Sequence, residues 1–461
     1  MPAEDSPGHF PIDELPKDTI AAIATPPGVG AVGMIRVSGP DARSLVGSMF
    51  RGRRAESWVA RQQHLGLILD SGNNPVDEVL VCYFPGPGSF TGEDVVEISC
   101  HGGVVVTKQI LDAVLSAGAK PASPGEFTQR AFLNGRIDLT QAEAVMDLIS
   151  AQTELAARAA REQLSGHLGG ELESLRQALI ALLAHMEAYI DFPEEDIDPD
   201  SQQELAERLS SIRSRVVALL STADQGRILR EGLRTVICGA PNAGKSSLLN
   251  RLLGFDRAIV NEAAGTTRDT IEEVINLKGI PIRLIDTAGI RESEEEIERE
   301  GIQRSRDQLA AAELILLVVD SNEGSERVEP IEIPDNAKVV RILNKSDLEP
   351  HPDWKGVEGL RISCLEPECA DSIRDSLFEA VVNREGISTT SLTAINSRHQ
   401  HCLEQARGAL EQASNVLSAG ESPEFVSLDL RAALDAIGDI IGKTDVEEIL
   451  GEIFSTFCIG K

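Results

Sequence analysis

Residues 239–246 read Gly-Ala-Pro-Asn-Ala-Gly-Lys-Ser, two glycines separated by four residues and followed by Lys and Ser. No other stretch constrains the fold so strongly, because a phosphate-binding loop works only between the end of a strand and the start of a helix. Gly239 and Gly244 let the backbone curl so that its N–H groups converge on a phosphate chain. The predicted cradle consists of Asn242, Ala243, Gly244, Lys245, Ser246 and Ser247. Within it, Lys245 reaches the β- and γ-phosphates and the Ser246 hydroxyl is a natural Mg2+ ligand. The flanks fit. Residues 234–238 (RTVIC) form a β-branched strand, and 246–253 open a helix whose N-terminus favours anions.

Three motifs follow in the order such a site requires. Asp286-Thr287-Ala288-Gly289 closes the apolar strand 282–285. Asp286 is expected in the Mg2+ shell and the Gly289 amide at the γ-phosphate. Asn344-Lys345-Ser346-Asp347 follows a strand at 339–343. The Asp347 carboxylate accepts from both the ring N1–H and the exocyclic amine of guanine, a donor pair that adenine lacks. Ser363-Cys364, after 360–362, is similar to the loop that backs the guanine in GTPases. A polar turn explains any one of these motifs, but not all of them in sequence. The segment is predicted to bind GTP.

With 461 residues, two to four domains are expected. No run of eighteen apolar residues exists, so no membrane span is predicted. Residues 1–16 are acidic and Pro-rich, lack the basic and apolar regions of a targeting peptide, and read as a disordered extension. The seven cysteines include no CxxC pair, which argues for reduced cytoplasmic thiols and against a zinc ribbon. Cys82, Cys100 and Cys238 lie in apolar strands and are expected in the core, while His399 and His401 read as a helix surface. A net charge of −31 means that any nucleic acid is held locally or by a second protein.

The texture of the chain changes along its length. Short β-branched runs at 20–24, 32–37, 65–69, 78–83 and 95–100 alternate with turns, Ser71-Gly72-Asn73-Asn74-Pro75 among them. A helix is predicted at 104–117. Residues 17–139 thus read as an α+β domain. Residues 140–230 and 390–461 share an Ala-, Leu- and Glu-rich helical pattern, interrupted by loops at 191–200 and 420–423. The economical reading is one helical domain split by an inserted, doubly wound P-loop domain at 231–389.

Outside that insertion, several stretches resemble the bacterial and organellar tRNA-modification GTPases known as the MnmE or TrmE family. They are Ala24-Thr25-Pro26-Pro27-Gly28, Ser89-Phe90-Thr91-Gly92-Glu93-Asp94, His101-Gly102-Gly103, Pro124-Gly125-Glu126-Phe127, Arg130-Ala131-Phe132-Leu133-Asn134, Gln141-Ala142-Glu143-Ala144 and Phe457-Cys458-Ile459-Gly460-Lys461. The resemblance implies a homodimer with a folate-binding N-terminal domain. It also implies a heterotetramer with an FAD-dependent partner that modifies C5 of the wobble uridine of certain tRNAs. The one-carbon donor is implied to be a reduced folate of the 5-formyl- or 5,10-methylene-tetrahydrofolate type. Arg36, Glu97, Arg136 and Lys461 match the family's folate-contacting positions, Arg136 standing where Lys is common. Cys458 matches a cysteine near the folate site for which a catalytic role has been suggested.

The position after Asp286-Thr287-Ala288-Gly289 is Ile290, which cannot orient water as the Gln of Ras-like enzymes does. The resemblance assigns that task to Glu298, acting through bridging water. It also implies a K+ ion in the paired G domains, held by Asn242 and by residues 261–266, among them Asn261, Ala263 and Thr266. Thr267 is the implied Mg2+-sensing switch threonine, and Arg268 and Asp269 support the switch. A ribosome-assembly or regulatory GTPase without modification chemistry is the alternative, but it is expected to append a basic RNA-binding module that this sequence lacks.

Overall fold

Among the strands between residues 20 and 121, Val32–Ser38, Pro75–Phe84 and Val95–His101 carry buried apolar side chains at every second position, as in a sheet covered on one face. Strands β1 (Ile20–Ile23), β2 (Val32–Ser38), β3 (Phe50–Gly52), β4 (Gln63–Leu69), β5 (Pro75–Phe84), β6 (Val95–His101) and β7 (Lys120–Pro121) lie in the order β3-β4-β5-β6-β2-β1-β7. All neighbours are antiparallel except β1 and β7. Helices α1 (Ala42–Met49) and α2 (Val104–Ser116) cover the inner face. There Ile35, Val37, Ile98, Ile110 and Val114 are all fully buried. Each such side chain contributes about 1.5–3 kcal/mol. The Ser71–Pro75 turn joins β4 to β5, with Asn73 in the left-handed region (φ 66) and the Asp70 carboxylate accepting from Asn74 N at 2.8 Å.

The structure, a computed structural model, describes residues 18–191, 202–256, 272–286, 308–327, 333–334, 337–366, 369–385, 394–443, 450, 453–454 and 457–460. The chain divides into two units. Met1–Met146, Leu168–Pro199 and Asn415–Lys461 make the first; Asp147–His167 and Asp200–Ser414 make the second. Besides the sheet, the first unit contains α3 (Glu126–Leu133), residues 139–146 of α4 (Leu139–Ser150), residues 168–191 of α6 (His167–Asp191) and α12 (Pro423–Ile441). The expected extension at 1–16 and most of the predicted 191–200 loop lie outside the described residues.

The second unit is built on β8 (Leu233–Cys238), β9 (Glu272–Leu277), β10 (Ile280–Asp286), β11 (Leu314–Asp320), β12 (Lys338–Asn344) and β13 (Leu360–Arg361), in the order β13-β12-β11-β8-β10-β9. Only the β9–β10 hairpin is antiparallel. Central β8 is flanked on both sides, Val236 pairing with Ile285 and Ile315, which is why its sequence is nearly continuous in apolar residues. Helices α9 (Lys245–Asp256) and α10 (Cys369–Glu385) pack on this sheet. The unit also holds α5 (Glu154–Leu164), α7 (Gln202–Leu220) and α8 (Ala223–Glu231). The fold is therefore multidomain, α/β with added helical segments. Among the described residues no helix is long and apolar enough to cross a membrane.

Two sequence expectations are corrected here. Cys100 and Cys238 are buried, but Cys82 is half-exposed, because Val81 takes the inward phase of β5 and turns its neighbour outward. His399 is fully buried, whereas His401 is exposed as expected. The cause is a capping arrangement at the start of α11 (Ser397–Ala419). Asn396 Oδ1 accepts from His399 N at 2.7 Å, and Asn396 N donates back to His399 Nδ1 at 3.3 Å. His399 thus stands where a capping box ordinarily places Glu or Gln.

Candidate functional site

In the second unit the parallel strands β8, β11 and β12 bring their carboxyl ends to one edge, where open α/β sheets bind ligands. Gly239 follows β8 at φ +143, and a Cβ there would collide with the Val318 carbonyl of β11. Gly244 (φ +101) precedes α9, and a Cβ there would strike the Asn344 amide. Asn242 sits at φ 64, a left-handed conformation that Asn tolerates better than most residues. The loop therefore needs its glycines for backbone reasons before any ligand is considered. Ala243 is buried, whereas Asn242, Ser246 and Ser247 are exposed. Lys245 Nζ donates to the carbonyls of Gly239 and Ala240, at 3.0 and 2.8 Å.

Asn344 ties this loop to the neighbouring one. Its Nδ2 donates to Ala243 O at 2.8 Å, and its Oδ1 accepts from Cys364 N at 3.1 Å. Arg251, on α9, donates to the carbonyls of Cys364 and Leu365. Lys345 (φ 61) places Nζ 2.5 Å from Asp320 Oδ2 at the end of β11. Ser346 N donates to Ile362 O at 3.0 Å, and Asp347, next in the chain, has an exposed carboxylate. Ser363 and Cys364 are buried, and burial pushes the Cys364 thiol up to about 11. The set suits a guanine nucleotide: a glycine-dependent loop, the Lys245 cation, an exposed Ser246 hydroxyl at a helix start and an exposed Asp347 carboxylate. Ser246 would hold Mg2+. Asp286 ends β10. Asn261, Ala263, Thr266, Thr267, Arg268, Asp269, Thr287, Ala288, Gly289, Ile290 and Glu298 lie outside the described residues.

The first unit gathers a second constellation on the outer face of its sheet. Arg36 and Glu97 are cross-strand partners, Arg36 Nε and Nη2 lying 3.1 and 2.9 Å from Glu97 Oε1. Arg36 also donates to Gly460 O at 3.4 Å, so residues from the two ends of the sequence meet. Its guanidinium lies 5.6 Å from the Phe90 ring and 5.7 Å from the Phe127 ring. Gly460 (φ +96) fits only because it lacks a Cβ, which would press on Ile23 O and Ala24 Cα. Arg136 is exposed, its stem against Gly92, two residues from Phe90. Cys458 is exposed, and Lys461 lies outside the described residues.

Behind these rings Arg130 is 1% exposed and bound to three carboxylates. The distances are 2.6 Å to Asp18, 2.8 Å to Glu126 and 3.2 Å to Glu93. Ser38 Oγ donates to Glu93 Oε2 at 2.7 Å. Burial pushes the Glu93 carboxyl up, against the lowering by Ser38 and Arg130. This network fixes the segments that carry Phe90 and Phe127.

Two family models match this chain: the MnmE helical domain over residues 139–458 and the GTP-binding protein TrmE N-terminus over residues 19–136. The tRNA modification GTPase MnmE of Akkermansia muciniphila is 50% identical over 448 residues, covering 97% of this chain and 99% of that protein. The chain belongs to the MnmE family of tRNA modification GTPases. Other relatives of the same name include those of Natranaerobius thermophilus and of Thermoanaerobacter sp. strain X514. The first is 44% identical over 97% of this chain and 100% of its own length, the second 43% over 96% and 99%.

In this MnmE-family chain the sequence assigned no site role to Phe90, Phe127 and Arg130, which it showed only as part of the resemblance, nor to Asp320 and Arg251. Only Arg130 carried a local signal, its spacing of four from Glu126 on α3. For Asn344, the geometry yields an expected result. Asn344→Ala leaves the buried Ala243 carbonyl and Cys364 amide without partners. It should destabilise the nucleotide edge by about 1–3 kcal/mol and weaken guanine nucleotide binding together with adjacent amide protection. Titration calorimetry with GDP and hydrogen exchange across residues 239–248 check this; unchanged values in both would refute the bridging role.

Proposed function

We propose that this chain hydrolyses GTP and, as a homodimer in a heterotetramer with an FAD-dependent partner, installs an aminomethyl-type group on C5 of the wobble uridine of certain tRNAs. A reduced folate, bound around Arg36, Glu97, Arg136 and Lys461, supplies the one-carbon unit. Residues 17–139 form the folate domain, 231–389 the inserted G domain, and 140–230 with 390–461 one helical domain. The observation that carries the reading is the meeting of Gly460 with Arg36. A contact at Gly460 supports a folate site to which the end of the sequence contributes.

The chain's own groups have distinct tasks in this scheme. Lys245 leaves its two carbonyl partners for the β- and γ-phosphates. Asn344 keeps the phosphate and base loops in register, and Asp347 reads guanine. Arg36, flanked by two rings and held by Glu97, orients a folate carboxylate or ring edge. Mg2+ and K+, when bound, neutralise charge developing on the phosphates. Ser246 and Thr267 are the proposed Mg2+ ligands; Asn242 and residues 261–266 are the proposed K+ ligands. A second copy is favoured by exposed apolar residues on the first unit's outer sheet face, where Leu65 (61% exposed) and Leu80 (36%) are cross-strand neighbours. The proposed setting is the cytoplasm.

Mass spectrometry of wobble uridines tests the reading. Cells lacking the chain should lose the C5 modification, the full chain should restore it, and Arg36→Ala should restore it poorly while hydrolysing GTP normally. Retention of the modification without the chain would leave the regulatory-GTPase alternative in its place.

A further inference from the structure

The chain carries a net charge of −31, yet residues 43–61 hold five arginines against one carboxylate, Glu56. This reversal sits at the free side of the first unit's sheet, since β3 is its edge strand. Arg51 lies on β3, and Arg53 and Arg54 follow directly. All three are exposed, and among the described residues none of their side chains has a hydrogen-bond or ion-pair partner.

The segment that displays them is braced from behind. The buried Trp58 donates Nε1–H to Arg53 O at 2.9 Å. Ser57 N and Oγ both donate to Arg54 O, at 2.9 and 2.8 Å. Arg43 donates through Nε and Nη2 to Ala55 O, at 2.9 and 2.7 Å, with its guanidinium 4.7 Å from the Tyr83 ring. Three successive carbonyls are thus fixed, while the three guanidinium groups take no part in the scaffold. Arg61 then links this segment to the next loop, its Nη2 lying 2.9 Å from Gly88 O. Gly88 is two residues from Phe90, the ring beside Arg36.

We infer that Arg51, Arg53 and Arg54 form a docking surface for an RNA phosphate backbone. A strongly acidic protein repels a polyanion over most of its surface, so the strand must arrive where the local sign is reversed. Guanidinium forks bind phosphate oxygens in a bidentate way, and a rigid display lowers the ordering cost of docking. The bond from Arg61 to Gly88 O joins this edge to the loop that carries Phe90, while β4, β5 and β6 separate β3 from the Arg36 strand. The inference rests on the tRNA reading above. Charged residues also protect edge strands from pairing with other chains, a role that requires no RNA.

The test uses the full-length chain and an unmodified tRNA transcript, with binding followed by fluorescence anisotropy from roughly 50 to 200 mM salt. Replacing Arg51, Arg53 and Arg54 together by Ser should weaken binding at least ~10-fold at low salt. It should also make the slope of log affinity against log salt shallower by roughly 2–3. The triple Lys replacement should keep most of the affinity, and GTP hydrolysis should be unchanged in both. Parent-like affinity and slope in the Ser variant would overturn the proposal and leave edge protection as the explanation. So would failure of the parent chain to bind the transcript, or loss of binding to anionic lipid vesicles with RNA affinity intact. Wobble-uridine analysis of cells lacking the chain separates the two claims: its failure removes the tRNA reading, whereas an unchanged salt slope removes only this surface.

Discussion

GTP hydrolysis should be slow in Na+ and far faster in K+ at equal ionic strength, approaching the roughly 10³–10⁵ that an arginine finger supplies elsewhere. The expectation rests on Ile290, which cannot orient water, and on Asn242, whose exposed side chain offers a carbonyl oxygen at the crest of the phosphate loop. The left-handed backbone at Asn242 (φ 64) dictates how this is tested. Asn242→Ala removes the oxygen but also puts a residue that disfavours this conformation into the loop. Asn242→Gly removes the oxygen and keeps the backbone relaxed. Both variants should lose the K+ response, and the Gly variant should retain nucleotide affinity. Equal turnover of the parent in the two salts, measured by phosphate release, would exclude the cation from the mechanism.

Arg130→Met should cost the first unit about 3–5 kcal/mol, the penalty of removing one side of a buried charge cluster. Local opening of β2 and β6, followed by hydrogen exchange, is the appropriate measure in a chain of two units. The variant should also acquire a characteristic pH dependence. Burial already raises the Glu93 carboxyl, and loss of the guanidinium raises it further. A carboxyl raised in the folded state holds a proton that the unfolded chain has released. Stability conferred by that proton is present in acid and falls as pH rises from the ordinary glutamate range through the folded value. The parent should show this weakly, because Lys120 and then Arg130 lower the neighbouring Asp18 carboxyl, an effect of opposite sign. Arg130→Lys should fall between, since an ammonium restores charge without the fork that reaches three carboxylates. A loss under ~1 kcal/mol, or no pH trend in the Met variant, would show that the cluster is not integral to the fold.

Much of the fold was legible because periodicity and turn chemistry agree in it. β8, β10 and β12 read as apolar runs ending at motifs, and β2 and β6 alternate as a sheet with one covered face must. The motifs at the carboxyl edge of the parallel strands were legible for the same reason, being local to strand ends. Long-range contacts were not. Arg130 joins Asp18, Glu93 and Glu126, and nothing in the sequence near Glu93 announces a guanidinium from 37 positions away. His399 was misread because a polar residue beside another at the start of a helix looks solvated, and only the reciprocal bonds with Asn396 explain its burial. The pairing of Asn344 with Ala243 was not legible because the two lie 101 positions apart.

The contact between Arg36 and Gly460 spans 424 positions, and that distance has a consequence for synthesis. Chains emerge from the ribosome at about 5–20 residues per second, and sheets can form as their strands appear. The seven strands of the first unit are complete once Pro121 is out, but the Arg36 face has to wait for more than three hundred further residues. During that interval Arg36, Phe90 and Phe127 are in place without the segment that covers them. A nascent chain can therefore pair these strands before the Gly460 contact exists, and a product that stops short of residue 460 lacks one side of the folate face proposed above.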